Sequence, residues 1–288
     1  MMRKTNLFLC VCALAVGIPT VSGCRQEEYP LGRENPLLEF PLRIAADIAA
    51  ERVLTRADVS PSYDKTAFVA GDVIEVKRTT ASSTLTPASC TYKLTDAKTW
   101  VWTEDPLETD GPFYTYENGE TFTATYPATF DVIKEDQTGD GFLQSNKLTA
   151  QAKAANGGVT FNFAPAFTKI TVIVYYQTAE AVPTTDVFTL TASALRGGSG
   201  DESVRCLCKT NAAATEHTWS AIINPGTYAL NISLGNTTYT ATSKQYKAAT
   251  HYIYTLYRQG DRFQMSGSVT IKEYDTNGTT AGSDISAT

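Results

Sequence analysis

The chain has 288 residues, with 24 Lys and Arg against 30 Asp and Glu, for a formal charge of −6. A mildly acidic chain with no basic patch has no counterion-release drive toward DNA or RNA, so no nucleic acid is expected as a partner. Of six cysteines, three lie within the first 24 residues, and the remaining Cys90, Cys206 and Cys208 are too few for a disulfide framework, so hydrophobic burial must hold the fold.

Arg3 and Lys4 precede an apolar run from Leu7 to Val16 and then Val21-Ser22-Gly23-Cys24. Basic, apolar, small, then cysteine is the order of a bacterial lipoprotein signal, and it is too short to span a membrane as a helix. Residues 1–23 are therefore expected to be removed by a cut between Gly23 and Cys24, leaving lipid on Cys24 as the attachment to the outer membrane. The remaining 265 residues carry 22 basic and 30 acidic side chains, a charge of −8.

Residues 24–36 are polar and proline-bearing and read as a tether. Leu38, Phe40, Leu42 and Ile44 then alternate with Glu39, Pro41 and Arg43, which predicts a strand with one apolar face, confined by Pro41 to a sheet edge. The Ala-rich stretch to Leu54 fits helix or strand. Thr55-Arg56-Ala57-Asp58, followed by Ser60-Pro61-Ser62, predicts an exposed basic site in a loop.

From Phe68 onward the β signal is nearly continuous. Val73–Val76, Trp100–Trp102, Phe113–Tyr116, Phe122–Tyr126 and Val159–Phe163 are β-branched and aromatic. Between such runs lie turn pairs: Asp110-Gly111, Asn118-Gly119, Asp140-Gly141, Asn156-Gly157 and Asn224-Pro225-Gly226. Ile170–Tyr175 is apolar on both faces, and Phe263, Met265, Gly267, Val269 and Ile271 alternate as one long strand. All-β is the expected class. With a boundary at Asn156-Gly157, two β-sandwich domains follow, 37–156 and 157–288, each of ordinary size.

No catalytic constellation emerges, and neither an enzyme nor a cofactor is expected. His217 and His251 have no local Ser, Cys or carboxylate in a triad-like arrangement. Gly197-Gly198-Ser199-Gly200 lacks the ending of a phosphate cradle. Asp136, Thr138, Asp140 and Gly141 imitate half a calcium loop, but Lys147 stands where a bidentate Glu is needed. Cys206 and Cys208, even with His217, fall short of a closed zinc site and read as small hydrophobes on one strand face. Trp100 and Trp102 share a strand face, which suits either a core or a sugar platform.

Several segments together resemble the fimbrillin family of Bacteroidales-type anaerobes, the FimA-like and Mfa-like pilus subunits. They are the Cys24 box with Glu27-Glu28, then Thr55-Arg56-Ala57 ahead of Phe68-Val69-Ala70-Gly71-Asp72-Val73-Ile74-Glu75-Val76, then Val159–Val172, and finally Val269-Thr270-Ile271-Lys272-Glu273-Tyr274. The chain departs from the family at Ala164, where members often carry His, and at Tyr274, where the last core strand usually ends in Trp. The resemblance implies two tandem transthyretin-like (Greek-key type) β-sandwiches, export as a lipoprotein, and display at the cell surface in a fimbrium. It further implies a cut between Arg56 and Ala57, with Arg52 the nearest rival, and release of a removable strand carrying Leu38, Phe40, Leu42 and Ile44. A strand from another pilus subunit would fill the groove, and adhesion to a host or bacterial surface receptor would follow. The competing reading is an outer-membrane surface lipoprotein that binds glycans, which fits the Cys24 box and the aromatic residues equally.

Overall fold

The computed structural model describes residues 37–39, 41–49, 65–79, 88–96, 98–103, 112–113, 115–183, 186–210, 212–273 and 285–286. The protein is all-β: one six-residue helix interrupts the strands among these residues. No described helix is long and apolar enough to cross a membrane.

The first part of the chain supplies β1 (Leu37–Glu39), β2 (Arg43–Ile48), β3 (Val73–Arg78), β4 (Ser89–Leu94), β5 (Trp100–Trp102), β6 (Thr115–Glu117), β7 (Thr121–Tyr126), α1 (Asp140–Ser145), β8 (Leu148–Lys153) and β9 (Gly158–Pro165). Seven of these strands form one sheet in the order β2-β9-β8-β7-β3-β4-β5, while β1 pairs separately with β6. Period-two alternation puts Ile74 and Val76 of β3, Phe122 and Ala124 of β7, and Val159, Phe161 and Phe163 of β9 into one core. Asn118-Gly119 joins β6 to β7, with Gly119 at φ +88°. Asn156 (φ +51°) and Gly157 (φ +79°) join β8 to β9, a two-residue turn of the left-handed kind that matches strand twist.

The rest of the chain supplies β10 (Thr168–Glu180), β11 (Thr189–Ser193), β12 (Asp201–Arg205), β13 (Leu207–Cys208), β14 (Ala214–Ile223), β15 (Gly226–Tyr228), β16 (Asn231–Leu234), β17 (Thr237–Thr240), β18 (Lys244–Tyr246), β19 (Thr250–Gln259), β20 (Arg262–Met265), β21 (Thr270–Glu273) and β22 (Ile285–Ser286). One sheet runs β13-β14-β10-β19-β21-β22, with β20 also on β19, and another runs β12-β11-β16-β17. A second core joins them, uniting Ile170, Val172, Val174, Trp219, Tyr254 and Leu256 with Leu190, Val204 and Ile232. This is a two-layer sandwich. As the apolar run predicts, β10 is the central strand, antiparallel to β14 and parallel to β19.

The structure revises four local expectations. The boundary at Asn156-Gly157 would give β9 to the second domain, yet β9 pairs with β2 and β8 and fills the first core, so the two cores divide after Pro165. The alternating run 38–44 is two strands, β1 and β2, separated around Pro41 because proline cannot donate to a ladder. Phe263–Ile271 is likewise two strands, β20 and β21, with Gly267 at φ +69° between them and Phe263 and Val269 fixed in the second core. Asp140-Gly141 opens α1 instead of forming a hairpin turn.

The segment between β7 and β8 packs against β12, β13 and β14, where it forms a small cluster of its own. Gln137 is fully buried, its carboxamide accepting from the Ile222 amide (2.8 Å) and donating to the Ile222 carbonyl (2.8 Å). The Gln137 amide donates to the Arg205 carbonyl (3.0 Å), and Phe142 packs with Leu207 and Ile222.

Candidate functional site

The edge strand β2 lies parallel to β9, with Ile44 beside Val159, Ala46 beside Phe161 and Ile48 beside Phe163. Its inward row belongs to the first core: Leu42 and Ile48 are buried, and Ile44 and Ala46 pack against the same cluster. The small Ala46 sits next to a fully buried phenylalanine, so the row reads large, large, small, large. At its start, the Leu42 amide donates to the Phe113 carbonyl (2.9 Å) and the Arg43 amide to the Gly157 carbonyl (3.2 Å). The Arg43 guanidinium also donates to the Asn156 carbonyl at 2.9 Å. At its end, the Ala49 amide donates to the Phe163 carbonyl (2.7 Å). Gly158 permits this approach, since a Cβ there would stand 3.1 Å from the Arg43 carbonyl oxygen.

A clasp at Lys65–Asp72 holds the chain just ahead of β3. Gly71 takes φ +95°, turning the chain so that the Asp72 amide returns to the Val69 carbonyl (3.0 Å). The Asp72 carboxylate accepts from the Val69 amide (2.6 Å), the Lys65 ammonium (2.6 Å) and the Tyr126 hydroxyl (3.0 Å). Burial, with the Asp72 charge beside it, pushes the Tyr126 hydroxyl well above its usual titration range. Phe68 makes edge contacts with Trp100, Tyr126 and Phe163 at 5.2–5.4 Å. Phe163 therefore has one neighbour, Ile48, that precedes residues 50–64 in the chain and another, Phe68, that follows them.

Of the residues expected at the site, Leu42 and Ile44 are brought together with β9, and Leu38 lies in β1, where it pairs with Tyr116. Gly23, Cys24, Phe40, Arg52, Arg56 and Ala57 lie outside the described residues. Sequence reasoning missed Ala46 and Ile48, although they continue the period-two row from Ile44.

The other candidates have structural settings. Trp100 is buried against Phe68 and Trp102 packs against the same core, which removes the tryptophan sugar platform. Cys206 is buried in the second core, its thiol pushed well up by burial, and Cys208 packs beside it. His217 is buried with Nε2 3.0 Å from the Glu180 carbonyl, and His251 Nε2 lies 2.7 Å from Thr171 Oγ1. The Asp136 carboxylate accepts from the Thr138 hydroxyl (2.6 Å) and amide (2.9 Å) and pairs with Arg205 (2.9 Å).

No protein-family model matches the chain, and no curated protein does. Among solved structures, a Bacteroides ovatus protein described as a "putative cell adhesion protein" is similar with a TM-score of 0.55 and 20% identity, over 80% of this chain and 96% of that one. A Bacteroides uniformis protein of the same description gives 0.47 and 14%, over 80% and 98%. The tip fimbrial protein Mfa3 from Porphyromonas gingivalis, with a C-terminal truncation, gives 0.42 and 8%, over 83% and 100%. The first of these establishes a shared fold.

Proposed function

We propose that this protein is a non-enzymatic fimbrial adhesion subunit of the bacterial cell surface, delivered as a lipoprotein through Cys24 and assembled by protease-triggered strand exchange at β9. One observation carries the reading: an edge strand with a buried apolar row is followed directly by a stretch containing Arg52 and Arg56. A cut between Arg56 and Ala57 would free β1 and β2 together, baring the backbone edge of β9 and the side chains of Val159, Phe161 and Phe163. An incoming strand repairs both deficits at once. It would need large side chains in place of Leu42, Ile44 and Ile48 and a small one beside Phe161. The fold shared with the Bacteroides ovatus "putative cell adhesion protein" supports the adhesive part of the proposal.

Within the fimbrium we favour a tip or minor subunit that accepts a strand without giving one. Phe263 and Val269 are built into the second core, so that alternating stretch is not available to a neighbour. Ile285-Ser286 pairs with β21. Ile285 is the one large aliphatic side chain after Tyr274, and its burial is worth only about 2–3 kcal/mol, too little for a lasting joint. The test is limited digestion with a trypsin-like protease, N-terminal sequencing, and SDS-resistant ladder formation with and without residues 275–288. A new N-terminus at Ala57 and no ladder of this chain with itself, with or without the deletion, are expected. Assembled material that all begins at Cys24 would refute the exchange, and ladders lost on deletion would make the tail a donor.

A further inference from the structure

We propose that the outer face of the β14-β10-β19-β20 strands is a binding site for a neutral saccharide chain, centred on the stacked pair Tyr175 and Tyr257. This deepens the adhesion reading by naming a ligand class.

The strand registers set the site. Glu216 pairs with Tyr175, Tyr175 with Tyr257, and Tyr257 with Gln264, so these four side chains form one row across four strands. Three interstrand spacings make the row about 14 Å long. The tyrosine rings stack at 5.3 Å and 27°, and Tyr257 is 45% exposed, although it sits in the middle of a sheet. Beside this row lie half-buried Thr218, Ile173 and Thr255, in register on β14, β10 and β19, and above it lies the pair Gln259 and Arg262.

The polar groups around the rings are uncommitted. The side chains of Glu216, Thr218, Thr255, Gln259, Arg262 and Gln264 make no hydrogen bond or ion pair among the described residues. Further down the same face the capacity is spent: Thr171 Oγ1 lies 2.9 Å from Ser220 Oγ and 2.7 Å from His251 Nε2, and all three residues are buried. The open patch therefore ends where that buried row begins.

The chemistry selects the ligand. Aromatic ring faces pack against C–H faces, while the surrounding hydroxyl, amide and carboxylate groups serve alternating donors and acceptors. A sugar chain presents both along its length. Glu216 and Arg262 bracket the patch with opposite charges, which gives an anionic glycan no net attraction. A second protein copy fits poorly. Two tyrosines bury about 150–250 Å² each at most, against roughly 800 Å² per partner in a standard interface.

The test uses the mature chain, titrated by calorimetry with neutral hexasaccharides of glucose, mannose and galactose in α and β linkage, and with a heparin hexasaccharide. At least one neutral hexasaccharide should bind. Tyr257→Ala should weaken it about tenfold, whereas Tyr257→Phe, which keeps the ring, should stay within about threefold. Gln264→Ala offers a second exposed variant that should also weaken binding. Binding of none of the neutral hexasaccharides, tighter binding of heparin, or an unchanged affinity in Tyr257→Ala would overturn the proposal. After cleavage, Tyr257→Ala should take up a peptide copying residues 41–49 as the wild type does, so failure of strand exchange and failure of sugar binding are separately visible.

Discussion

The pairing of Ala46 with Phe161 offers a direct test of the groove. Phe161 is fully buried, and its truncation to alanine should cost about 3–5 kcal/mol through lost transfer energy and the cavity left behind. Ala46→Leu alone forces extra carbon against that ring and should cost about 1–3 kcal/mol. The two residues are neighbours on one sheet face, so the added carbon can occupy part of the space that the ring vacates. The double variant should then be more stable than the sum of the single effects predicts, by about 1–2 kcal/mol. Urea unfolding of the uncut chain reads this as a shift in midpoint at constant slope. Additivity within about 0.5 kcal/mol would refute the pairing. The same reasoning extends to the cut protein. A peptide copying residues 41–49 should raise its melting temperature, and the same peptide with Ala46→Trp should not.

Four further outcomes can be measured. Glu120→Ala removes a carboxylate 2.5 Å from the Arg78 guanidinium in a pair whose side chains are 5% and 0% exposed, and should cost about 3 kcal/mol in a denaturant melt; a loss under about 1 kcal/mol would contradict it. Gly141→Ala drives a Cβ into the Asp136 carbonyl oxygen, so a loss of about 1–3 kcal/mol is expected, and a melting temperature equal to wild type would show that the loop relaxes freely. Hydrogen bonds from Thr138, with Arg205 nearby, hold the Asp136 carboxyl below its ordinary value. A depressed folded value means that its stabilisation is present above the unfolded value of about 3.9 and lost as pH falls through the folded one, so Asp136→Asn should lower the melting temperature at pH 7 and not at pH 2. Cys24→Ala should abolish labelling by a palmitate analogue and leave unprocessed precursor, and unchanged labelling would end the lipoprotein reading.

The parts of the fold that follow from local alternation were legible in the sequence. Ile74 and Val76, Phe122 and Ala124, and the row Val159, Phe161, Phe163 face inward as their period-two spacing requires. Less legible were features decided by tertiary context. Asn156-Gly157 has the same turn chemistry whether it closes a hairpin or separates two domains, and only the pairing of β9 with β8 distinguishes them. Ala46 carried too little apolar signal to extend the predicted row, because alanine suits helix and strand surfaces alike. Trp100 and Trp102 look the same in sequence on a wet face or a dry one. Tyr175 and Tyr257 meet through a parallel register between strands far apart in the chain, which no local pattern encodes.

The topology around β9 also explains why β2, rather than another strand, suits exchange. β8 and β9 are joined by a two-residue turn, so their pairing is renewed by the covalent connection whenever it opens. β2 runs parallel to β9 and meets it from a distant part of the chain, as the Arg43 to Gly157 hydrogen bond illustrates. A parallel pair cannot be closed by a tight turn, so one cut after β2 turns an intramolecular strand into a separate ligand. Its retention then depends on concentration and on the burial of Leu42, Ile44 and Ile48, at about 1.5–3 kcal/mol for each side chain fully buried. A competing strand with the same large, large, small, large row and a longer ladder would displace it. The clasp at Asp72 lies on the other side of the proposed cut and holds Phe68 against Phe163, so one end of the proposed groove would stay covered while the edge of β9 is bared.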